Sequence, residues 1–284
     1  MEIKEVIANF FGKRMATLAT MHQKEKVMSP LLEKHLRVRV HVPTQLNTDT
    51  FGTFTRDVDR MGNQLEAARH KAQHALSLTG HTIAIASEGL FGPHPLVPWV
   101  GYNRELVLLI DVENQFEIIG ESMTTDTNLK SLQIKNIEDA HRFCEKVGFP
   151  EHAVIVRNNN EWIKGITSKK ELEQAFERLM KSADKDFSIE TDMRAMFNPT
   201  RMKYIEAATQ NLIDKIYSLC SKCSYPGFEV VERKKGLLCR ECGLKTPLII
   251  ADVYRCKKCG HCEEKLYPKG KTFADPVNCL FCNP

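Results

Sequence analysis

The sequence predicts an α/β protein, a mixed sheet flanked by helices, followed by a small zinc-ribbon-type domain. Three observations carry that prediction. Segments of dense or alternating apolar character take turns with segments whose apolar residues recur at helical spacing. No internal repeat or low-complexity linker breaks the alternation before the cysteines. Nine of the ten cysteines fall after residue 219.

The elements follow in order. Residues 14–20 (RMATLAT) read as a short buried strand, followed by a helix to about residue 35 in which Pro30 is a breaker. RVRVHV (37–42) alternates like a strand, and a polar loop (44–60) leads into a helix from about Asn63 to Leu78. Leu65, Ala68, Ala72, Ala75 and Leu76 line one face of that helix, and Gly80 ends it. TIAIAS (82–87) is a central strand by its apolar density, and 106–112 and 116–119 form a strand pair. A helix at 137–147, a strand at 153–158, a helix at 168–182 and a strand at 187–191 complete the pattern. A last helix, 199–219, leads into the cysteines. The boundaries predicted are an α/β domain over 1–196, a connecting helix over 197–219 and a double four-cysteine module over 220–284.

Composition sets the class. Apolar residues make up 42% and charged residues 27%, the balance of a soluble globular chain. No run approaches the eighteen apolar residues that a membrane span needs, so a membrane is not an expected partner. The N-terminus mixes charges into its apolar positions, unlike a secretory leader, and the chain reads as cytoplasmic. In that compartment clustered cysteines are metal ligands more often than disulfides.

The cysteines pair as Cys220-x-x-Cys223, Cys239-x-x-Cys242, Cys256-x-x-Cys259 and Cys279-x-x-Cys282. Two intervening residues let a tight turn present both sulfurs to one tetrahedral ion. Sequential pairing is the expectation: Cys220, Cys223, Cys239 and Cys242 for one zinc, and Cys256, Cys259, Cys279 and Cys282 for the other. A cross-braced arrangement, with the first and third pairs sharing an ion, is the alternative. His261 and Cys262 are substitute ligands for the second site, with Cys262 preferred as a spare thiol and Cys144 as a buried core residue. Four protein ligands leave no open position, so both zincs would be structural. The module holds 12 basic against 7 acidic residues, and two tetrathiolate zinc sites would bring it near neutrality.

Four other segments look unlike plain scaffold. Thr20, His22 and Lys24 stand where a strand gives way to a helix, a place that favours phosphate. The loop at 49–56 offers Asp49 and Arg56 among hydroxyls. Ser87-Glu88-Gly89-Leu90-Phe91-Gly92-Pro93-His94 puts a carboxylate at a strand end, for magnesium, and a histidine beyond it, for phosphate. Residues 190–201 (ETDMRAMFNPTR) pack alternating charges, including Arg194 and Arg201, before a helix opened by Pro199. Each of the four also has an ordinary reading, as a solvated helix start, a surface loop, a satisfied strand-end Glu or a salt-bridged junction.

These motifs carry two resemblances. ATMHQKE, DTFGTFTRDVDR, AARHKA, ASEGLFGPHP, ETDMRAMFNPTRM and the closing CLFCNP are similar to an uncharacterised bacterial family of the same layout. Residues 16–115 distantly resemble the inosine triphosphate pyrophosphatase-like superfamily, which clears non-standard nucleoside triphosphates with Mg2+. Ala19-Thr20 matches its first strand end, Lys24 its phosphate-binding lysine, 67–72 (AARHKA) its middle helix, and Glu88-Gly89 its acidic turn. His22 stands where that superfamily has an asparagine, and Ala86-Ser87 where one branch has paired aspartates. The resemblance implies an Mg2+-dependent nucleotide phosphoanhydride hydrolase. Lys24, Lys71 and Arg56 would neutralise phosphate, and Glu88, with Asp49 or Asp111, would hold the metal. The alternative is a non-enzymatic protein whose zinc module binds nucleic acid or a protein partner.

Overall fold

The computed structural model describes residues 2–46, 63–181 and 186–284. The N-terminal stretch forms α1 (Ile3–Phe11), β1 (Met15–Ala19), α2 (Glu25–Leu36) and β2 (Arg39–His41). Next come α3 (Gln64–Thr79), β3 (Ile83–Pro93), β4 (Gly101–Asp111) and β5 (Phe116–Thr124). A second group follows: β6 (Ser131–Ile134), α4 (Ile137–Val147), β7 (Val154–Arg157), β8 (Trp162–Ile166), α5 (Lys169–Met180) and β9 (Phe187–Thr191). The chain closes with α6 (Pro199–Tyr217), β10 (Glu229–Lys235), β11 (Ile249–Arg255) and β12 (Cys262–Leu266). It divides into two compact units, Lys13–Leu212 and Met1–Gly12 with Ile213–Pro284.

The Lys13–Leu212 unit holds two sheets. The first runs β2-β1-β3-β4-β5, with β2, β1 and β3 parallel and β3, β4 and β5 antiparallel. It is therefore mixed and flanked by helices, as the alternation of patterns predicts. Asn63 caps α3, its Oδ1 accepting from the backbone of Leu65 and Glu66 at 3.0 and 3.1 Å, and Gly80 ends it in a left-handed conformation. Ala68, Ala72 and Ala75 of α3 meet Ala84 and Ala86 of β3, so small side chains on both partners let helix and sheet lie close. On β5, a Cβ at Gly120 would strike Ala208 and Leu212 of α6, so only glycine fits beneath that helix. Pro30 lies inside α2, not at a break; it is exposed in the second turn and forfeits one hydrogen bond.

The second sheet runs β6-β9-β7-β8 with antiparallel neighbours throughout. One face is apolar: Ile134, Val154, Val156, Ile166, Phe187 and Ile189 pack against Phe143 and Cys144 of α4 and Leu172 and Leu179 of α5. Asn136 and Ser168 cap those two helices through side-chain oxygens. Cys144 is a core residue as predicted, its thiol pushed up to about 11 by burial.

Sequence patterning leaves α1, β6 and β8 unassigned. Short strands such as SLQI and WIKGI, the latter broken by Gly165, carry too little periodicity to stand out. It also ends β3 too early. Glu88 and Gly89 are not in a strand-end turn; they lie within a long β3–β4 ladder, opposite Leu106 and Glu105. The glycines and prolines suggest a turn locally, but pairing with β4 carries the strand on to Pro93.

In the other unit, β10, β11 and β12 form an antiparallel sheet. α1 belongs to this unit: Val6, Ile7 and Phe11 are buried, and Phe10 meets Tyr225 edge-on at 5.4 Å. Among the described residues no helix is long and apolar enough to cross a membrane.

Candidate functional site

The cysteines form two sets of four, Cys220, Cys223, Cys256 and Cys259, and Cys239, Cys242, Cys279 and Cys282. The sequential pairing is thus corrected: the first pair joins the third and the second joins the fourth. Spacing along the chain defines each knuckle but not which knuckles the β10-β11-β12 sheet brings together. Across the first set, Cys220 and Cys259 sulfurs lie 3.8 Å apart and Cys223 and Cys256 sulfurs 3.6 Å. Across the second, Cys239 and Cys282 are 3.9 Å apart and Cys242 and Cys279 3.5 Å. A tetrahedral zinc with bonds of about 2.3 Å has sulfur–sulfur edges of about 3.8 Å. Both sets can therefore hold zinc.

The knuckles share a backbone device. Ser224, Gly243 and Gly260, each directly after the second cysteine of a pair, have φ of 55°, 71° and 70°. That left-handed residue returns its N–H to the first cysteine's carbonyl, at 2.8 Å for Ser224 and 3.0 Å for both glycines. Backbone N–H groups of Cys282 and Phe281 pull the Cys279 thiol down to about 7, while burial pushes Cys223 up to about 12. Cys262 lies outside both sets, exposed, with Arg255 Nε donating to its sulfur at 3.4 Å. His261 Nε2 meets Ser221 Oγ at 3.1 Å and is not a ligand.

In the Lys13–Leu212 unit, charge gathers around the C-terminal end of β1 and the middle of β3. Lys24, at the start of α2, is buried, and its Nζ donates to Ser87 Oγ at 2.9 Å and Ser87 O at 3.3 Å. Lys71 of α3 forms an ion pair with Glu88, both buried. On β4, Glu105 takes a 2.8 Å hydrogen bond from Arg201 Nε and a 3.0 Å one from Asn103 Nδ2. Burial, and then the Arg201 charge, lower Lys24 to about 7; Glu105 and Glu88 oppose that shift without cancelling it. Thr20 Oγ1 and Gln64 Oε1 are buried with no hydrogen-bond partner among the described residues. Gln64 Nε2 ties the two strands, donating to Glu88 O at 2.7 Å and Arg104 O at 2.9 Å.

The predicted residues are only partly brought together. Thr20, Lys24, Lys71, Glu88 and Arg201 converge, and His22 stands in the turn before α2. His94 lies beyond Glu88 in the β3–β4 turn, its Nδ1 accepting from Leu96 N at 3.2 Å and its ring edge-on to Tyr102. Arg194 is held by buried Asp192, with Nη2 2.6 Å from Oδ2. Asp49 and Arg56 lie outside the described residues. Asp111 is no partner for Glu88: it pairs with Ile83 at the far end of β3 and binds Arg14 at 2.5 and 2.7 Å. Glu105 is the member that sequence reasoning misses. Its signal is a carboxylate that opens the apolar run ELVLLID, a burial that demands a partner.

Among the described residues no group of three or more carboxylate or histidine ligands gathers at Glu88. Glu88 and Glu105 each face a cation, and the groupings with metal-ligand geometry are the two cysteine sets.

No curated protein matches this chain. Among solved structures it is similar to the crystal structure of protein VC0702 from Vibrio cholerae, with 7% identity and a TM-score of 0.33. That alignment covers 72% of this chain and 96% of the other. A family model described as a domain of unknown function, DUF6671, matches residues 71–284, well over half of the sequence and inclusive of all eight clustered cysteines. The chain belongs to that family.

Proposed function

We propose that the Lys13–Leu212 unit hydrolyses a nucleotide phosphoanhydride, with the zinc module as a structural appendage. One observation carries the reading: Lys24, Lys71 and Arg201 gather with Glu88 and Glu105 where parallel β1 ends and α2 begins. Open α/β sheets place ligands there, and the Thr20 hydroxyl supplies a buried donor at the same edge. In this reading Thr20 and Lys24 take up the phosphate, and Glu88, oriented by Lys71, accepts a proton from the attacking water. Water oxygen bonds to phosphorus as the anhydride oxygen leaves. Lys24, balanced near neutrality, returns a proton to that leaving oxygen. Any Mg2+ would come with the nucleotide and would supply added neutralisation of phosphate charge.

The test is a panel of standard and modified nucleoside triphosphates, with and without Mg2+, following phosphate and pyrophosphate release beside Glu88→Gln. Release that disappears in the folded variant supports the proposal; a flat panel with the parent protein sinks it.

A specific observation favours a second role. Leu280 and Phe281, between the ligands Cys279 and Cys282, are 75% and 72% exposed. Apolar side chains on a rigid knuckle suit docking to a nucleic acid or protein partner. Salt-dependent binding of single-stranded RNA or DNA that is lost in Leu280→Ser/Phe281→Ser supports the nucleic-acid form; no binding at low salt removes it.

A further inference from the structure

The second sheet has one face covered by α4 and α5 and an opposite face that opens on a cleft. Because side chains alternate along a strand, Val154 and Val156 enter the core while Ile155 and Arg157 point the other way. A cavity of about 530 Å³ lies there, with Phe91 of β3, Ser131, Ile155, Arg157, Trp162 and Glu190 in its wall. That volume is the size of a small-molecule site.

Its chemistry is selective. Arg157 stacks over the Trp162 ring at 4.5 Å, and Lys164 approaches the same ring at 5.7 Å. The pair between Arg157 Nε and Glu190 Oε2 is loose, at 3.8 Å, and that Nε is buried with no hydrogen-bond partner among the described residues. Asp192, also on the wall, is already neutralised by Arg194 and by the Gly165 N–H at 3.1 Å. Arg157 therefore offers the unused donor of the cleft, only loosely countered by Glu190 and beside the rings of Trp162 and Phe91. A flat ring bearing a negative group satisfies both features, because the ring stacks while the anion takes the unused guanidinium donor.

We infer that this cleft is a ligand site, separate from the Lys24–Glu88 cluster, for a small aromatic anion of the nucleoside monophosphate class. It does not rest on the hydrolase reading, since a monophosphate has no anhydride to cleave.

The chain has two tryptophans, so Trp99→Phe leaves Trp162 as the single indole reporter. In that background adenosine 5′-monophosphate, adenosine and inorganic phosphate are titrated separately against tryptophan fluorescence. The expected result is saturable quenching by the monophosphate, weaker quenching by adenosine and none by phosphate. Arg157→Gln weakens the monophosphate about tenfold, the worth of one charge-assisted hydrogen bond. Glu190→Gln, which removes the competing carboxylate, tightens it. Lys24→Met leaves it unchanged. Absence of saturable quenching, indifference to Arg157→Gln, or loss of binding in Lys24→Met overturns the inference.

Discussion

Glu105 Oε1 lies 2.8 Å from Arg201 Nε, an ion pair that ties β4 to α6 with the two side chains 0% and 2% exposed. Arg201 is held from its other side by Met193 O, 2.6 Å from Nη1, and its backbone N–H is capped by Asn198 Oδ1 at 2.9 Å. The motif around Arg201 thus locks α6 to the first sheet. Arg201→Ala leaves a buried carboxylate without its counter-charge and should cost roughly 3–5 kcal/mol. The double variant Glu105→Leu/Arg201→Met should recover most of that loss. Urea unfolding measures both; a double variant as unstable as the single one refutes the ion-pair account.

Gly89 exists for the same pair. A Cβ there would come within 2.5 Å of both Arg201 Nη2 and Glu105 Oε1. Gly89→Ala should therefore destabilise by roughly 1–3 kcal/mol, as overpacking does. The penalty should shrink in an Arg201→Ala background, where the guanidinium is gone. A double-mutant cycle showing strict additivity would contradict this.

Lys24 predicts a pH signature. Burial lowers it to about 7, against about 10.4 for an unfolded lysine. Between those values the unfolded chain keeps a proton that the folded chain has released, so stability rises with pH across the window. Below pH 7 the fold bears the full cost of the buried charge. Lys24→Met should then be more stable by roughly 1–4 kcal/mol at pH 6, with the gain fading toward pH 10. Thermal melts across that range check the sign, and the same variant should lose any hydrolase activity.

The cross-braced cysteines are testable by stoichiometry. Cys220→Ser/Cys256→Ser removes ligands from one set and should leave one zinc per chain. Cys220→Ser/Cys239→Ser damages both sets and should leave fewer than one tight zinc. Sequential pairing reverses the two results. Metal content of the purified variants decides between them.

Much of this was legible in the residues themselves. Asn63 and Gly80 mark the limits of α3 because capping and left-handed geometry are local properties. The four Cys-x-x-Cys knuckles announce metal chemistry because each tight turn presents two sulfurs to one tetrahedral ion. Lys24 stands out at a helix start and Glu88 after the apolar run of a central strand, whereas Lys71 is found only through the resemblance of 67–72.

What the sequence could not decide is which distant pieces meet. Glu105 and Arg201 are 96 residues apart, and nothing local to either names the other. The continuation of β3 past Glu88 depends on pairing with β4, and glycine and proline hide it. The partners of Cys220 depend on how β10, β11 and β12 fold over one another. The sequence by itself determined the local elements, the knuckles and the charges that need partners, because these follow from neighbouring residues. Only the tertiary structure decided the partners, because contacts between distant segments are set by packing and burial across the whole unit.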